Sequence, residues 1–567
     1  MIKGIGASKG YGIGRVVVFH ELDLSYQPRE NCDPEAEKKR LNDALERFCE
    51  ESERLSERIR ESVGESEAEI ITGHIMMLKD PYMCSEIEKL IDEGKCAESA
   101  FETVCDMFIT MFSNVDDELT RQRAADVRDI KTDVLAIMLN IETIDLTSLE
   151  KDTVIVAKEI TPSMAARINK DNVVGFITET GSKTSHAAIL ARAMEIPAVL
   201  SVQNASMILG NGELVIVDGI KGEIITDPEN EVKAEYIRKR IDFDVERKNL
   251  MKLIGKPTET KDGNKLMLFA NIGTPDDANK VVEYDGEGIG LFRTEFLFMD
   301  RNSAPDEDEQ FEAYKKAALI MKGKTVVIRT LDIGGDKDIP YMNLQKEENP
   351  FLGFRAVRYC LGHKDIYQTQ LRAILRASAY GDLQIMIPLV TGVDELRQVK
   401  ALIGDIMHEF ENSGVAYDKS IKVGVMIETP AAAVVADLLA KEADFFSIGT
   451  NDLIGYTMAV DRGNSDVAYL YSAFSPAVLR SVRHIIREGK KAGITVGMCG
   501  EAAADPMMIP LLISFGLDEY SVTPTAVLST RKEISRWSKK QADEIAERVM
   551  LLETEKKVVL ELERLLG

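Results

Sequence analysis

Toward its C-terminal half the chain repeats one pattern eight times: a short apolar run of strand character, then a longer helical stretch. The runs are Lys265–Gly273, Gly288–Phe296, Lys324–Asp332, Leu383–Val390, Lys422–Pro430, Asp444–Asp452, Ile494–Glu501 and Glu519–Pro524. Strands covered on both faces read as continuous apolar runs rather than alternating ones, which is the mark of a parallel sheet. Eight strand–helix units in roughly 260 residues predict a (β/α)8 barrel, a fold whose active site lies where the strands end. The ends of these runs carry Arg293, Arg329, Glu428, Asn451, Asp452 and Cys499.

Those residue types suggest a chemistry. Arg293 and Arg329, with Arg355 and Arg462 nearby in sequence, offer planar forks of always-charged donors suited to carboxylate and phosphate oxygens. Glu428 and Asp452 are hard oxygen ligands from successive strand ends, and two carboxylates completed by substrate oxygens and water are a usual way to hold Mg²⁺. Together they point to a small, densely anionic substrate bound with a divalent cation. The competing reading is a rim of structural ion pairs. A lone cysteine is most often a small buried hydrophobe, but Cys499, in Gly497-Met-Cys-Gly-Glu501 at a strand end, is placed for acid/base work.

The first half is built differently. Residues 1–20 read as a glycine turn feeding a short strand over 15–20, and the glycine spacing does not fit a dinucleotide fingerprint. From Asp33 the spacing of Leu41, Leu45, Phe48, Leu55 and Ile59 predicts an amphipathic helix opened by Asp33-Pro34. Further helical stretches cover about 66–79, 84–93 and 97–140, making an all-helical bundle. Strand character returns at 153–157, 173–177 and 213–217. Since 1–20 is strand-like too, the bundle is read as an insertion in an α/β domain. The expected domains are 1–24 with 141–228, the bundle at 25–140, a charged helical linker at 229–254, and the barrel at 255–567.

Lys plus Arg number 70 and Asp plus Glu 95, for a net charge of −25, which argues against a broad nucleic-acid face. The seven cysteines form no C-x-x-C pair and suggest a reducing compartment. No signal-like core and no run of membrane-spanning length is apparent, so a cytoplasmic location and no membrane insertion are expected.

One further segment, Gly181-SKTSHAAILA-Arg192, follows a strand and turns into a helix of small residues. It puts His186 near a helix N-terminus, where exposed N–H groups favour a phosphate. Thr184 and Ser185 could bond phosphoryl oxygens, and Lys183 or Arg192 could offset charge. On these residues alone a structural histidine and a phosphoryl-carrying one stand level. His20, His74, His363, His408 and His484 have no such surroundings and read as structural.

The segment from Gly181 to Leu200 resembles the phosphohistidine signature of the phosphoenolpyruvate-utilising enzymes. That from Asp444 to Gly463 resembles their metal and substrate signature. With Gly290–Asp300, Val327–Asp338, Asn349–Tyr359 and Val496–Glu501, the whole chain is similar to the Enzyme I family of the bacterial phosphoenolpyruvate-dependent sugar phosphotransferase system. The resemblance implies that His186 is phosphorylated, that Arg293, Arg329, Arg462, Asn451 and Asp452 contact phosphoenolpyruvate, that Glu428 and Asp452 ligate Mg²⁺, and that Cys499 protonates enolpyruvate. It further implies that the bundle docks the phosphocarrier protein HPr and that the barrel forms a homodimer. Three departures from the family pattern are Ser182 for a glycine, Gly455 for a glutamine, and Ala503-Ala504 in a run that is otherwise less alanine-rich. The rivals are an ATP-dependent dikinase or synthase relative, for which no segment is long enough to be a nucleotide domain, and a catalytically idle scaffold.

Overall fold

A computed structural model describes the chain apart from residues 20–23, 63–64, 114–117, 142–145, 147–148, 161–163, 165–167, 182–184, 300, 302, 336–338, 343, 462–463, 465 and 567. It divides into two compact units, Met1–Arg247 and Lys248–Gly567.

The first unit contains an eight-stranded sheet made of β1 (Ile2–Lys3), β2 (Ile5–Ser8), β3 (Tyr11–Phe19), β4 (Thr153–Ala157), β5 (Val173–Thr178), β6 (Ala198–Leu200), β7 (Leu214–Asp218) and β8 (Glu223–Thr226). Their spatial order is β1-β8-β7-β3-β4-β5-β6-β2. β3 through β6 run parallel, while β7, β8, β1 and β2 add antiparallel pairings at the two sides. The glycine-rich start is therefore strand rather than a turn feeding one. A Cβ on Gly12 would lie 2.0 Å from the Val174 carbonyl oxygen, and one on Gly14 2.0 Å from that of Asp152. These glycines let neighbouring backbone pass close, which explains their spacing without any nucleotide.

The helical segment enters between β3 and β4, although those two strands are paired neighbours. It comprises α1 (Pro34–Ser62), α2 (Glu65–Leu78), α3 (Pro81–Asp92), α4 (Ala97–Ser113) and α5 (Glu118–Met138). Asp33 accepts the Glu35 N–H at 3.2 Å and Pro34 takes the first helical position, so α1 begins where its cap signals. Asp80 caps α3 through the N–H groups of Tyr82 and Met83, each at 3.0 Å. Leu41, Phe48, Ile87, Phe101, Val104, Val127 and Val134 share one core. The stretch read as helical over 97–140 is two helices rather than one. Lys131 of α5 reaches back to Asp106 of α4 at 2.8 Å, so the chain reverses between them. A long apolar periodicity shows helix but not where a helix folds back on itself.

In the second unit all eight apolar runs become strands: β9 (Met267–Ile272), β10 (Ile289–Arg293), β11 (Val326–Arg329), β12 (Leu383–Ile387), β13 (Lys422–Ile427), β14 (Phe445–Ile448), β15 (Thr495–Met498) and β16 (Glu519–Val522). They close into a barrel in which each pairs in parallel with the next and β16 returns to β9. Leu268, Ile289, Phe292, Ile328, Ile385 and Tyr520 pack outward against the helices. Leu291, Val327, Met386, Met426 and Phe445 pack inside together with Cys499. A helix over Asn230–Met251 carries the division between the units. Among the described residues, no helix is long and apolar enough to cross a membrane.

Candidate active site

The C-terminal ends of the barrel strands hold most of the residues singled out from the sequence. Arg293 ends β10 and Arg329 ends β11. Glu428 follows β13 directly, and Cys499 follows β15. Asn451 and Asp452 open the helix Thr450–Met458 that follows β14.

Charges alternate through this mouth. Arg329 Nη2 pairs with Glu295 Oε1 at 2.6 Å, and its Nη1 with Asp332 Oδ2 at 2.9 Å. Arg355 Nη2 bonds the other oxygen of Asp332 at 2.8 Å and reaches Asp452 Oδ2 at 3.2 Å. Burial pulls the Arg329 guanidinium down, but Glu295, Asp332 and Glu428 outweigh it and hold the group above its ordinary value. Arg355 is held up in the same way by Asp332 and Asp452. Part of the mouth is thus the ion-pair network of the competing reading. Arg293 is different: it makes no hydrogen bond or ion pair among the described residues.

Glu428 is buried, with Oε1 accepting the Leu389 N–H at 2.7 Å. Leu389 holds a positive φ of 55°, a conformation costly for a branched side chain, and its N–H meets this carboxylate. Burial raises the Glu428 carboxyl, and Asp452 and Asp332 raise it further against the pull of Arg329 and Arg355. A Cβ on Gly449 would stand 2.7 Å from Glu428 Oε2, so glycine keeps that oxygen's surroundings open. Two carboxylates that repel each other, one with an oxygen unclaimed by hydrogen bonds, fit a hard divalent cation completed by substrate oxygens. Among the described residues, no group of three or more His, Cys, Asp or Glu forms a cage able to hold a metal by itself.

Cys499 is buried, and burial pushes its thiol up to about 11, with Ser447 pulling it down. Glu428, Arg329 and Arg293 also act on it, which puts these four side chains in one electrostatic neighbourhood. Asn451 Oδ1 accepts the Glu501 N–H at 3.4 Å, and its carbonyl accepts the Tyr471 hydroxyl at 3.0 Å. A cleft of about 490 Å³ lies beside it, lined by Thr450, Asn451, Tyr471, Phe474, Glu501 and Pro506 among others. All seven cysteines are free, and Cys96, Cys105 and Cys360 are buried, Cys360 with its thiol on the Leu331 carbonyl at 3.7 Å.

In the first unit, α6 (His186–Met194) starts at the candidate histidine. Its N-cap is Ser185, whose hydroxyl accepts the Ala188 N–H at 3.4 Å and so serves the helix before any phosphoryl group. Arg192 donates to the Ala7 carbonyl at 3.1 Å. The side chain of His186, and residues Ser182, Lys183, Thr184 and Arg462, lie outside what is described. Of the histidines read as structural, His74 is buried with Nε2 3.5 Å from Asp126, and His363 stacks on Tyr359 with ring centroids 4.1 Å apart. His20 is outside the described residues.

Sequence reasoning missed Glu295 and Asp332 as partners of the arginines. Both stand close to them in sequence, Glu295 two residues past Arg293 and Asp332 three past Arg329. An acid just beyond a strand-end arginine was the available signal.

The chain matches three family models. They are the phosphoenolpyruvate-utilising enzyme N-terminal domain over residues 3–123, the mobile domain over 149–222, and the phosphoenolpyruvate-binding domain over 247–539. Barrel, mouth and these three matches in this order define the class, a phosphoenolpyruvate-utilising enzyme. The phosphoenolpyruvate-protein phosphotransferase of Bacillus subtilis (strain 168) is 45% identical over 559 residues, covering 98% of each chain. That of Geobacillus stearothermophilus is 46% identical over 559 residues, covering 98% of this chain and 97% of its own. That of Priestia megaterium is 44% identical over 559 residues, again covering 98% of each. The chain belongs to the phosphoenolpyruvate-protein phosphotransferase family, Enzyme I.

Proposed function

We propose that the barrel mouth binds phosphoenolpyruvate and that His186 takes its phosphoryl group, in the first step of a relay to the histidine of HPr. The observation that carries this reading is the gathering of Arg293, Arg329, Glu428 and Cys499 at the C-terminal ends of separate strands of one closed barrel. Arg293, without a hydrogen bond or ion pair among the described residues, receives the anionic substrate. Arg329, already fixed by Glu295 and Asp332, presents its remaining donors from a rigid position. Asn451 and Arg462 complete the contacts. Glu428 and Asp452 hold Mg²⁺, which when bound supplies charge neutralisation at the phosphate oxygens.

An imidazole nitrogen of His186 attacks phosphorus in line. The new N–P bond forms as the P–O bond to the enol oxygen breaks, and that electron pair leaves with enolpyruvate. The Cys499 thiol then gives its proton to the enol methylene carbon, yielding pyruvate, and recovers a proton from solvent. A thiol held up near 11 stays protonated at neutral pH, the form a donor requires. In this reading residues 1–24 and 141–228 carry the phosphohistidine, 25–140 dock HPr, 229–254 connect, and 255–567 bind substrate and pair two copies. One histidine then serves two partners in turn, so the domain that carries it must move between them during turnover.

The test is incubation with Mg²⁺ and phosphoenolpyruvate labelled in its phosphate, comparing wild type with His186→Ala. Acid-labile label on wild type alone, with pyruvate released, supports the reading. No label on either chain moves the idle scaffold to the front, and labelling that requires ATP moves the dikinase there.

A further inference from the structure

The sheet runs out of backbone partners just where two of the candidate substrate arginines stand. Arg293 and Arg329 are partners across the ladder and the last residues of β10 and β11. Beyond them Thr294 opens a 3-10 helix, and Thr330 makes one more ladder-like bond, to the Met386 carbonyl at 2.9 Å. The next backbone donor, the N–H of buried Leu331, has no strand left to meet.

A side chain takes over. Gln370 lies on the helix Lys364–Ala377 and is 1% exposed. Its Oε1 accepts the Leu331 N–H at 2.8 Å. Its Nε2 donates to Thr294 Oγ1 at 3.1 Å and to the Tyr314 hydroxyl at 3.2 Å. Each hydroxyl then passes its own proton on. Thr294 donates to the Arg329 carbonyl at 2.8 Å, and Tyr314 to Gln310 Oε1 at 3.1 Å. The Gln310 amide in turn holds the Pro305 carbonyl at 3.0 Å. An amide nitrogen only donates, so both hydroxyls must accept from Gln370, and one of them is thereby aimed at Arg329. Thr294, Gln310, Tyr314 and Gln370 are all buried, so a bond lost here leaves a polar group without bulk water to replace it.

We propose that Gln370 and Thr294 are positioning residues for phosphoenolpyruvate: together they fix the spacing of Arg293 and Arg329 from a helix packed outside the strands. The inference rests on the reading of those arginines as substrate contacts. Glu295 and Asp332 aim the Arg329 guanidinium, whereas Gln370 and Thr294 hold the backbone on both sides of that residue, at its own carbonyl and at the Leu331 N–H. Arg293 has no hydrogen bond or ion pair among the described residues to aim it, so its placement depends on its backbone, which Thr294 continues.

The test is KM and kcat for phosphoenolpyruvate in wild type, Gln370→Leu, Thr294→Val, Thr294→Ser and Arg293→Met, with folding followed by Trp537 emission. Thr294→Val keeps the shape and drops the hydroxyl. It and Gln370→Leu should each raise KM about tenfold while kcat moves less than about threefold. Thr294→Ser keeps the hydroxyl and should bring KM back to within about twofold of wild type. The double variant Gln370→Leu/Thr294→Val should be no worse than the worse single, because both break one chain of bonds. A network that only stabilises the fold would instead shrink the active fraction, lowering kcat at unchanged KM. Wild-type KM in folded Gln370→Leu and Thr294→Val, or effects that multiply in the double variant, overturn the proposal. If Gln370→Leu does not fold, the smaller change Thr294→Val decides. If Arg293→Met keeps the wild-type KM, the arginine reading fails instead.

Discussion

Arg293 and Arg329 have the same proposed substrate role but opposite places in the protein, and this separates binding from stability. Arg329 lies between Glu295 at 2.6 Å and Asp332 at 2.9 Å, with all three side chains nearly enclosed. Arg329→Met keeps the bulk and removes the charge, leaving buried Glu295 with no cation while Asp332 retains Arg355 at 2.8 Å. Breaking a buried pair from one side costs about 3–5 kcal/mol. With a urea slope of roughly 3 kcal/mol per M, the unfolding midpoint should move down by about 1 M or more. Arg293 makes no hydrogen bond or ion pair among the described residues, so Arg293→Met should cost less than about 1 kcal/mol. The chain has one tryptophan, Trp537, in the barrel unit, so its emission follows that unit's unfolding. Both variants should lose phosphoenolpyruvate binding in a titration. Equal midpoints for the two variants would refute the assignment of Arg329 to a structural network as well as to substrate. Retained binding in Arg293→Met would refute the idea that an uncommitted arginine receives the anion.

Cys499 carries a thiol pushed up to about 11, so it remains a neutral donor through the physiological range. Cys499→Ser should release enolpyruvate in place of pyruvate at first, seen as a lag in a pyruvate-specific assay, with phosphorylation of His186 little changed. Gly449→Ala sets a methyl 2.7 Å from Glu428 Oε2 and should weaken Mg²⁺ about tenfold or more, measured by calorimetry, without altering the barrel's circular dichroism. Glu428 is raised, and a raised carboxyl favours the folded state while protonated and loses that contribution as pH climbs through its folded-state value. Stability without Mg²⁺ should therefore decline from acid to neutral pH, and saturating Mg²⁺ should restore it; a flat profile counts against the cation site. An acidic chain docking a basic carrier should bind it faster at low salt, and an on-rate indifferent to ionic strength would refute electrostatic steering.

The barrel was legible because its strands are buried on both faces and write continuous apolar runs such as Val326-Val-Ile-Arg329, several of them broken by a polar strand end. The polar ends then named the mouth. What stayed hidden depends on geometry rather than type. Glu295 and Asp332 look like ordinary surface acids until Arg329 is seen between them. Gln370 reads as one polar residue on an amphipathic helix, and the partners that give it meaning, Thr294 and Leu331, lie 76 and 39 residues away in the chain. The N-terminal glycines misled in the other direction. Gly4 to Gly10 suggested a turn, yet the segment is strand, and Gly12 and Gly14 beyond it mark backbone contact with residues 174 and 152, which no local pattern records. Ser185 read as a phosphate ligand, and the structure adds a second use: its oxygen accepts the Ala188 N–H as a helix cap, while its O–H remains a donor.

The insertion between β3 and β4 also sets a timetable for synthesis. β1 pairs with β8, and β3 lies between β4 and β7, so the first strands to leave the ribosome have partners that emerge only after residue 152. At about 5–20 residues per second they wait for roughly 7 to 27 seconds. The helices made meanwhile have mostly local contacts and can fold while the sheet cannot. Once folded, they tie the ends of a long loop by a compact body rather than by free chain, which lowers the entropy lost when β4 finds β3. A ribosome stalled shortly before Leu214 would expose β3 with one side unpaired, an open edge for aggregation and chaperone capture.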